Sequence, residues 1–274
     1  MPMMKAAMVV SLSATGFQAL ALREKLAKSL KLLSGLGFKG AELHVRNPAE
    51  VDFKSVLRLL SKYDLKVPTL GTGQAFFDEG LSLTDPRASI RKKARERLLD
   101  HLELSAQLSC FVTIGLIRGA PKKDRKDQTL NLLADELDRL CARAKSIGSP
   151  GLILEPLNRY ETTIINTLSE AVELIRKIGS KKIGVLADSF HMNIEEKDVA
   201  QSITNAGKKI WHVHLADSNR WPPGQGHFDF DALFRALKKT GYDGWISGEY
   251  LPAPDADQSV RLFARFLKAR RLMP

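Results

Sequence analysis

The sequence is short of cysteine and of long apolar runs, and each shortage removes a class of protein. Only two cysteines occur in 274 residues, Cys110 and Cys141, 31 positions apart and outside any CxxC pattern. A disulfide framework and a cysteine-rich zinc site are thereby disfavoured, and a reducing cytoplasm is compatible. No apolar stretch approaches the roughly 20 residues that a membrane helix needs. The run from Met1 to Ser13 superficially resembles a secretory signal, but Ala6 to Ser11 is required as a first strand. A dinucleotide-binding turn is also missing. Gly71-Thr72-Gly73 lacks the third glycine of such a turn and reads as a tight loop. No low-complexity tract or linker divides the chain.

What is present is an ordinary globular composition, 44% hydrophobic and 27% charged, with a net charge of +11. A basic surplus of this size attracts phosphate backbones when it is gathered on one face. Here it is dispersed. Arg91, Lys92, Lys93, Arg95 and Arg97 alternate with Glu96 and Asp100, while Lys122, Lys123, Arg125 and Lys126 fall in an expected loop. That pattern describes a solvated surface, so neither nucleic acid nor membrane is the expected partner.

Short apolar, β-rich runs alternate with longer segments of helical periodicity, the pattern of repeated βα units around a parallel sheet. Strands are expected at Ala6 to Ser11, Gly40 to Val45, Lys66 to Leu70, Phe111 to Leu116, Gly151 to Glu155, Ile183 to Asp188, Ile210 to Leu215 and Trp245 to Glu249. A first helix from about Leu22 places Leu22, Leu26, Leu30 and Leu33 on one stripe and stops at Gly37. Asn166 or Thr167 with Glu170 forms a capping signal after the fifth strand, and Asp229 or Asp231 after the seventh. Eight units in this length predict a single-domain (β/α)8 barrel spanning residues 1–274.

Four residues end four consecutive strands: Glu155, Asp188, His214 and Glu249, spaced by 33, 26 and 35 positions. Each spacing is one βα repeat, so a barrel gathers all four at the C-terminal rim, where barrel enzymes keep their active sites. Any one of them alone has an ordinary explanation as a capping carboxylate, an ion-pair member or a core histidine. Together, three carboxylates converging at a partly buried site repel one another unless a cation is present. An oxygen-rich set with one imidazole suits one divalent ion, Mn2+ first, with Mg2+ or Co2+ also acceptable.

At these positions the chain resembles the ketose 3-epimerases of the xylose isomerase-like barrels, a group that includes D-tagatose, D-psicose and L-ribulose 3-epimerases. The resemblance is carried by Glu155-Pro156-Leu157-Asn158-Arg159-Tyr160-Glu161, Asp188-Ser189-Phe190-His191, His212-Val213-His214, Asn219-Arg220, Gly226-His227-Phe228-Asp229 and Gly248-Glu249. It implies that Glu155 and Glu249 double as metal ligands and acid/base pair, and that Glu161, His191 and Arg220 grip the first three carbons of a free ketose. It also implies a homodimer or homotetramer.

Rival readings share the barrel. An endonuclease IV-like repair enzyme would need histidines after strands three and four, where Gly71-Thr72-Gly73-Gln74-Ala75-Phe76 and Leu116-Ile117-Arg118-Gly119 supply none. A keto-acid epimerase or isomerase, of the keto-gluconate or hydroxypyruvate type, is motivated by Arg118. An arginine at the end of strand four is expected at the mouth, suited to a carboxylate. His44 and Gln74, with Leu12, Ser13, Thr72 and Phe76, are candidates by position for choosing the substrate.

Overall fold

The computed structural model describes residues 4–23, 25–120 and 126–273. Among these, eight parallel strands close into one ring in sequence order: β1 (Lys5–Ser11), β2 (Gly40–His44), β3 (Thr69–Gly71), β4 (Phe111–Ile114), β5 (Gly151–Leu154), β6 (Ile183–Asp188), β7 (Ile210–Leu215) and β8 (Trp245–Gly248). The ring closes through Lys5 opposite Trp245 and Met8 opposite Gly248. The chain is thus a single-domain (β/α)8 barrel, as expected. Its outer layer consists of α1 (Leu26–Leu36), α2 (Phe53–Lys62), α3 (Gly73–Glu79), α4 (Ala88–Leu108), α5 (Lys126–Ser146), α6 (Leu168–Ile178), α7 (Ser189–Glu195), α8 (Val199–Ala206), α9 (Phe230–Lys239) and α10 (Ala256–Ala269). No helix among the described residues is long and apolar enough to cross a membrane.

The apolar core lies between strands and helices, with Leu30 and Leu33 of α1, Leu98 of α4 and Phe263 of α10 fully buried. The interior of the ring is more polar. Thr69 and Thr113 share a hydrogen bond of 2.8 Å there, and Glu42, His212 and Ser247 are fully buried. Caps fall where the signals stood. Thr167 and Glu170 form a reciprocal capping box on α6, Asp229 caps α9, and Gly37 ends α1 with φ of 99°, which only glycine adopts freely.

Several expectations change: β2, β5 and β8 stop one residue short of Val45, Glu155 and Glu249, and Lys126 opens α5, pairing with Glu170 at 3.2 Å, where a loop was expected. Helix α1 starts at Leu26 because Leu22 is held beside Val10 in a parallel bridge before the helix begins. Strand β3 starts at Thr69, since Pro68 has no N–H to give a ladder, although Lys66 still bridges Gly40. Strand β4 stops at Ile114, and Leu116–Arg118 form a 3-10 turn. The segment after β3 is a short helix, α3, and not merely a tight loop. Of the basic runs, Arg95 pairs with Glu136 at 2.8 Å and Arg97 with Glu79 at 2.9 Å, so these guanidiniums are occupied within the molecule. Lys122, Lys123 and Arg125 lie outside the described residues. Both cysteines are buried free thiols.

Candidate active site

Alternation along a strand sends residues i and i+2 to the same face. On β7 this turns His212 and His214 inward together, and on β2 it does the same for Glu42 and His44. The β6–β7 register sets Asp188 directly beside His214, and the β7–β8 register puts Leu215 beside Gly248, one residue before Glu249. Glu155 continues β5 by donating its N–H to the Ile114 carbonyl at 3.1 Å. Four of the chain's six histidines, His44, His191, His212 and His214, come to this end of the barrel or just beneath it.

His214 Nδ1 lies 3.6 Å from each of Glu155 Oε1, Asp188 Oδ2 and Glu249 Oε2. All four residues are buried, and one donor atom from each falls within 4.8 Å of the others. Among the described residues, Glu155 Oε1, Asp188 Oδ2 and His214 Nδ1 have no hydrogen-bond partner. Buried polar atoms are nearly always satisfied. Three orphans of acceptor type aimed at one point fit a divalent cation held by three carboxylates and an imidazole. Electrostatics agree: burial first, and then the Glu249 charge, raise the Glu155 carboxyl above the usual range. Burial also opposes ionisation of Glu249, but His214, His44 and Arg220 outweigh it and hold that carboxyl low.

Beneath this cluster sits a residue that the sequence did not single out. Glu42, fully buried, accepts hydrogen bonds of 2.9 Å from His212 Nε2 and 2.9 Å from His214 Nε2. With its Nε2 proton given to Glu42, His214 presents the Nδ1 lone pair to the three carboxylates. Burial opposes the Glu42 charge, yet the two imidazoles outweigh it and keep the carboxyl well below its usual range.

Further out, the cleft is bounded by Phe17, His44, Glu161, His191 and Arg220. Arg220, at φ of 60°, donates to Glu161 Oε1 at 2.9 Å, approaches Glu249 Oε2 at 3.6 Å and rests on the Phe190 ring at 4.7 Å. Its loop is pinned by Asp217, whose carboxylate accepts the N–H groups of Ser218, Gly224 and Phe228. The N–H of Asn158 donates to His191 Nδ1 at 3.2 Å, which leaves the proton on Nε2, a buried donor with no partner among the described residues. Asn158 stands within, and Asp217 between, the stretches that carry the family resemblance, but neither was given a role, and Phe17 carries no signal of its own in a single sequence.

Two expected pocket residues point elsewhere. Arg118 is fully buried and does not face the mouth. Its guanidinium donates to the main-chain carbonyls of Gly115, Glu155, Ile164 and Ile165, because the 3-10 turn after β4 folds the side chain back beneath the β5 loop. Gln74 is likewise fully buried, giving its amide N–H to Ser11 Oγ at 2.7 Å.

A closed (β/α)8 barrel with three carboxylates and one imidazole gathered at its strand ends defines a barrel enzyme with a candidate site for one divalent ion. The chain matches the xylose isomerase-like TIM barrel family over residues 30–269, and it belongs to that family. Within it the chain stands with the sugar epimerases, enzymes of the isomerase class. It is 31% identical over 236 residues to a ketose 3-epimerase of Arthrobacter globiformis, covering 83% of this chain and 79% of that one. Similarity to the L-ribulose 3-epimerase of Mesorhizobium japonicum is 29% over 256 residues, or 89% and 82% of the two chains. A 3-dehydro-D-guloside 4-epimerase of Escherichia coli is 38% identical over 126 residues, 46% and 47% of the chains. Among solved structures, an L-ribulose 3-epimerase superposes with a TM-score of 0.78 at 26% identity, over 96% of this chain and 95% of the other.

Proposed function

We propose that this protein is a metal-dependent epimerase of free ketoses that inverts carbon three through Glu155 and Glu249. The observation that supports this reading is the convergence of Glu155 Oε1, Asp188 Oδ2 and His214 Nδ1, all unpaired among the described residues, beside Glu249. Glu155, Asp188, His214 and Glu249 would hold the ion, for which Mn2+ suits the oxygen-rich set, with Mg2+ or Co2+ as substitutes. When bound, such an ion supplies Lewis-acid stabilisation of negative charge developing on the sugar's carbonyl oxygen, an effect of several kcal/mol.

The chain's own residues do the rest. A hydrogen on the carbon next to a carbonyl is weakly acidic, and one carboxylate removes it while the other returns a proton to the opposite face. Two glutamates just past the ends of different strands, β5 and β8, suit a reversible exchange in which the roles swap with direction. Arg220 and the Nε2–H of His191 donate toward the developing enediolate oxygen, and Glu161, already paired with Arg220, accepts from the terminal hydroxyl. The keto-acid reading loses its motive, since Arg118 is committed to main-chain carbonyls. The family resemblance also supports a homodimer or homotetramer, which light scattering tests.

A second reading, epimerisation at carbon four of a 3-keto sugar, is favoured by the similarity to the 3-dehydro-D-guloside 4-epimerase. It uses the same proton transfer with the carbonyl one carbon further along. Incubation with Mn2+ in deuterated water separates the two: label at carbon three of a ketose is expected, and label only at carbon four of a 3-keto sugar would replace the first reading with the second. Glu155→Gln and Glu249→Gln should each lower exchange by about 100-fold or more in a folded protein. Substantial exchange in either removes that residue from the pair.

A further inference from the structure

The wall formed by the end of β2 carries a polar group for which the proposed chemistry has no use. His44 is buried, with 5% of its surface exposed, and it lines the cleft together with Arg220 and Glu249. Among the described residues, neither of its ring nitrogens has a hydrogen-bond partner. Its Nε2 is 3.5 Å from Glu249 Oε1 and 3.6 Å from Glu42 Oε1, close enough to feel both charges but beyond a well-formed hydrogen bond.

Its place is prepared by the neighbouring strand. A methyl group built on Gly71 of β3 would fall 2.1 Å from His44 Cδ2 and 2.3 Å from its Nε2, so the imidazole occupies the space that glycine leaves open. Gly71 sits beside His44 in the β2–β3 register. An imidazole so nearly buried, yet with its polar atoms unmatched among the described residues, is costly unless a ligand completes it.

We propose that His44 is a specificity-determining residue that hydrogen-bonds a hydroxyl on the tail of the sugar, carbons four to six. The assignment rests on the ketose reading above. Glu161, His191 and Arg220 serve the carbonyl end, so the polar partner of His44 comes from the remaining carbons. The ligand class is therefore a polyhydroxylated ketose whose tail hydroxyl meets the β2 wall, and not a chain that is apolar beyond carbon three.

A cycle of substrate and protein changes tests this. The unaltered Mn2+ enzyme and His44→Ala are assayed for carbon-three exchange on a good ketose and on its 4-deoxy, 5-deoxy and 6-deoxy analogues. Loss of one particular hydroxyl should lower kcat/KM at least tenfold in the unaltered enzyme and by less than threefold in His44→Ala, while the other two deoxy sugars behave alike in both. Gly71→Ala, which displaces the ring and removes no polar group, should give the same pattern. Equal losses on all four sugars, or no loss on any, overturn the assignment while leaving the epimerase reading intact. Absence of carbon-three exchange in the unaltered enzyme overturns both.

Discussion

Replacing Glu42 by glutamine keeps the shape of the buried side chain and removes its charge and one of its two acceptors. The carboxylate now receives 2.9 Å bonds from both His212 Nε2 and His214 Nε2, and its second oxygen also lies 3.1 Å from the latter. A glutamine amide puts an oxygen at one of these positions and an NH2 donor at the other, so one imidazole loses its 2.9 Å acceptor. If the amide nitrogen faces His214, that ring takes its proton on Nδ1, the atom directed at Glu155, Asp188 and Glu249. If it faces His212 instead, His214 keeps its tautomer but loses the anion that made it a stronger ligand. Orienting carboxylates of this kind are worth about 10–100-fold in metal affinity, or about 1.4–2.7 kcal/mol. The assay is calorimetric titration of Mn2+ into chelator-stripped protein, with circular dichroism to verify that the variant is folded. An affinity within threefold of the unaltered protein would refute the claim that Glu42 sets the metal-facing nitrogen of His214.

Two further outcomes follow from buried groups elsewhere. Arg118→Lys should lower thermal stability by at least about 3 kcal/mol, because one ammonium cannot reach the four carbonyls that the guanidinium spans and each unmatched acceptor costs about 1–3 kcal/mol; a stable variant that had lost only keto-acid binding would restore the substrate role. Asp217→Asn should destabilise the Arg220 loop in a pH-dependent way. Burial opposes the Asp217 charge, but the N–H groups of Phe228, Ser218, Gly226 and Gly224 outweigh it and depress the carboxyl. A depressed carboxyl contributes stability above its unfolded pKa of about 3.9, and that contribution disappears as pH falls through the folded value. The gap in melting temperature between the two proteins should therefore be full at pH 7 and close in acid; a gap independent of pH would contradict this.

The barrel was legible because each strand is a short apolar run bounded by turn residues, and because the spacing of Glu155, Asp188, His214 and Glu249 repeats the βα unit. The boundaries that moved did so for local reasons that periodicity does not register, such as the missing N–H of Pro68 and the bridge that holds Leu22 beside Val10. Arg118 was expected at the end of strand four and facing the mouth, but β4 stops at Ile114 and the 3-10 turn that follows decides where the side chain goes. Glu42 was invisible for a different reason. A single acid in Ala41-Glu42-Leu43-His44-Val45 looks like one polar position in a strand, and its partners are 170 and 172 residues away.

That separation has a consequence for assembly. A fragment beginning at Gly151 would contain every proposed ligand of the ion, yet it would lack the anion that orients His214 and the imidazole that faces Glu249. The first and last quarters of the chain are joined where β1 pairs with β8 and the ring shuts. Tight metal binding should therefore arise late in folding, as a signal that the circle is complete, and refolding followed by Mn2+ uptake would time the closure itself.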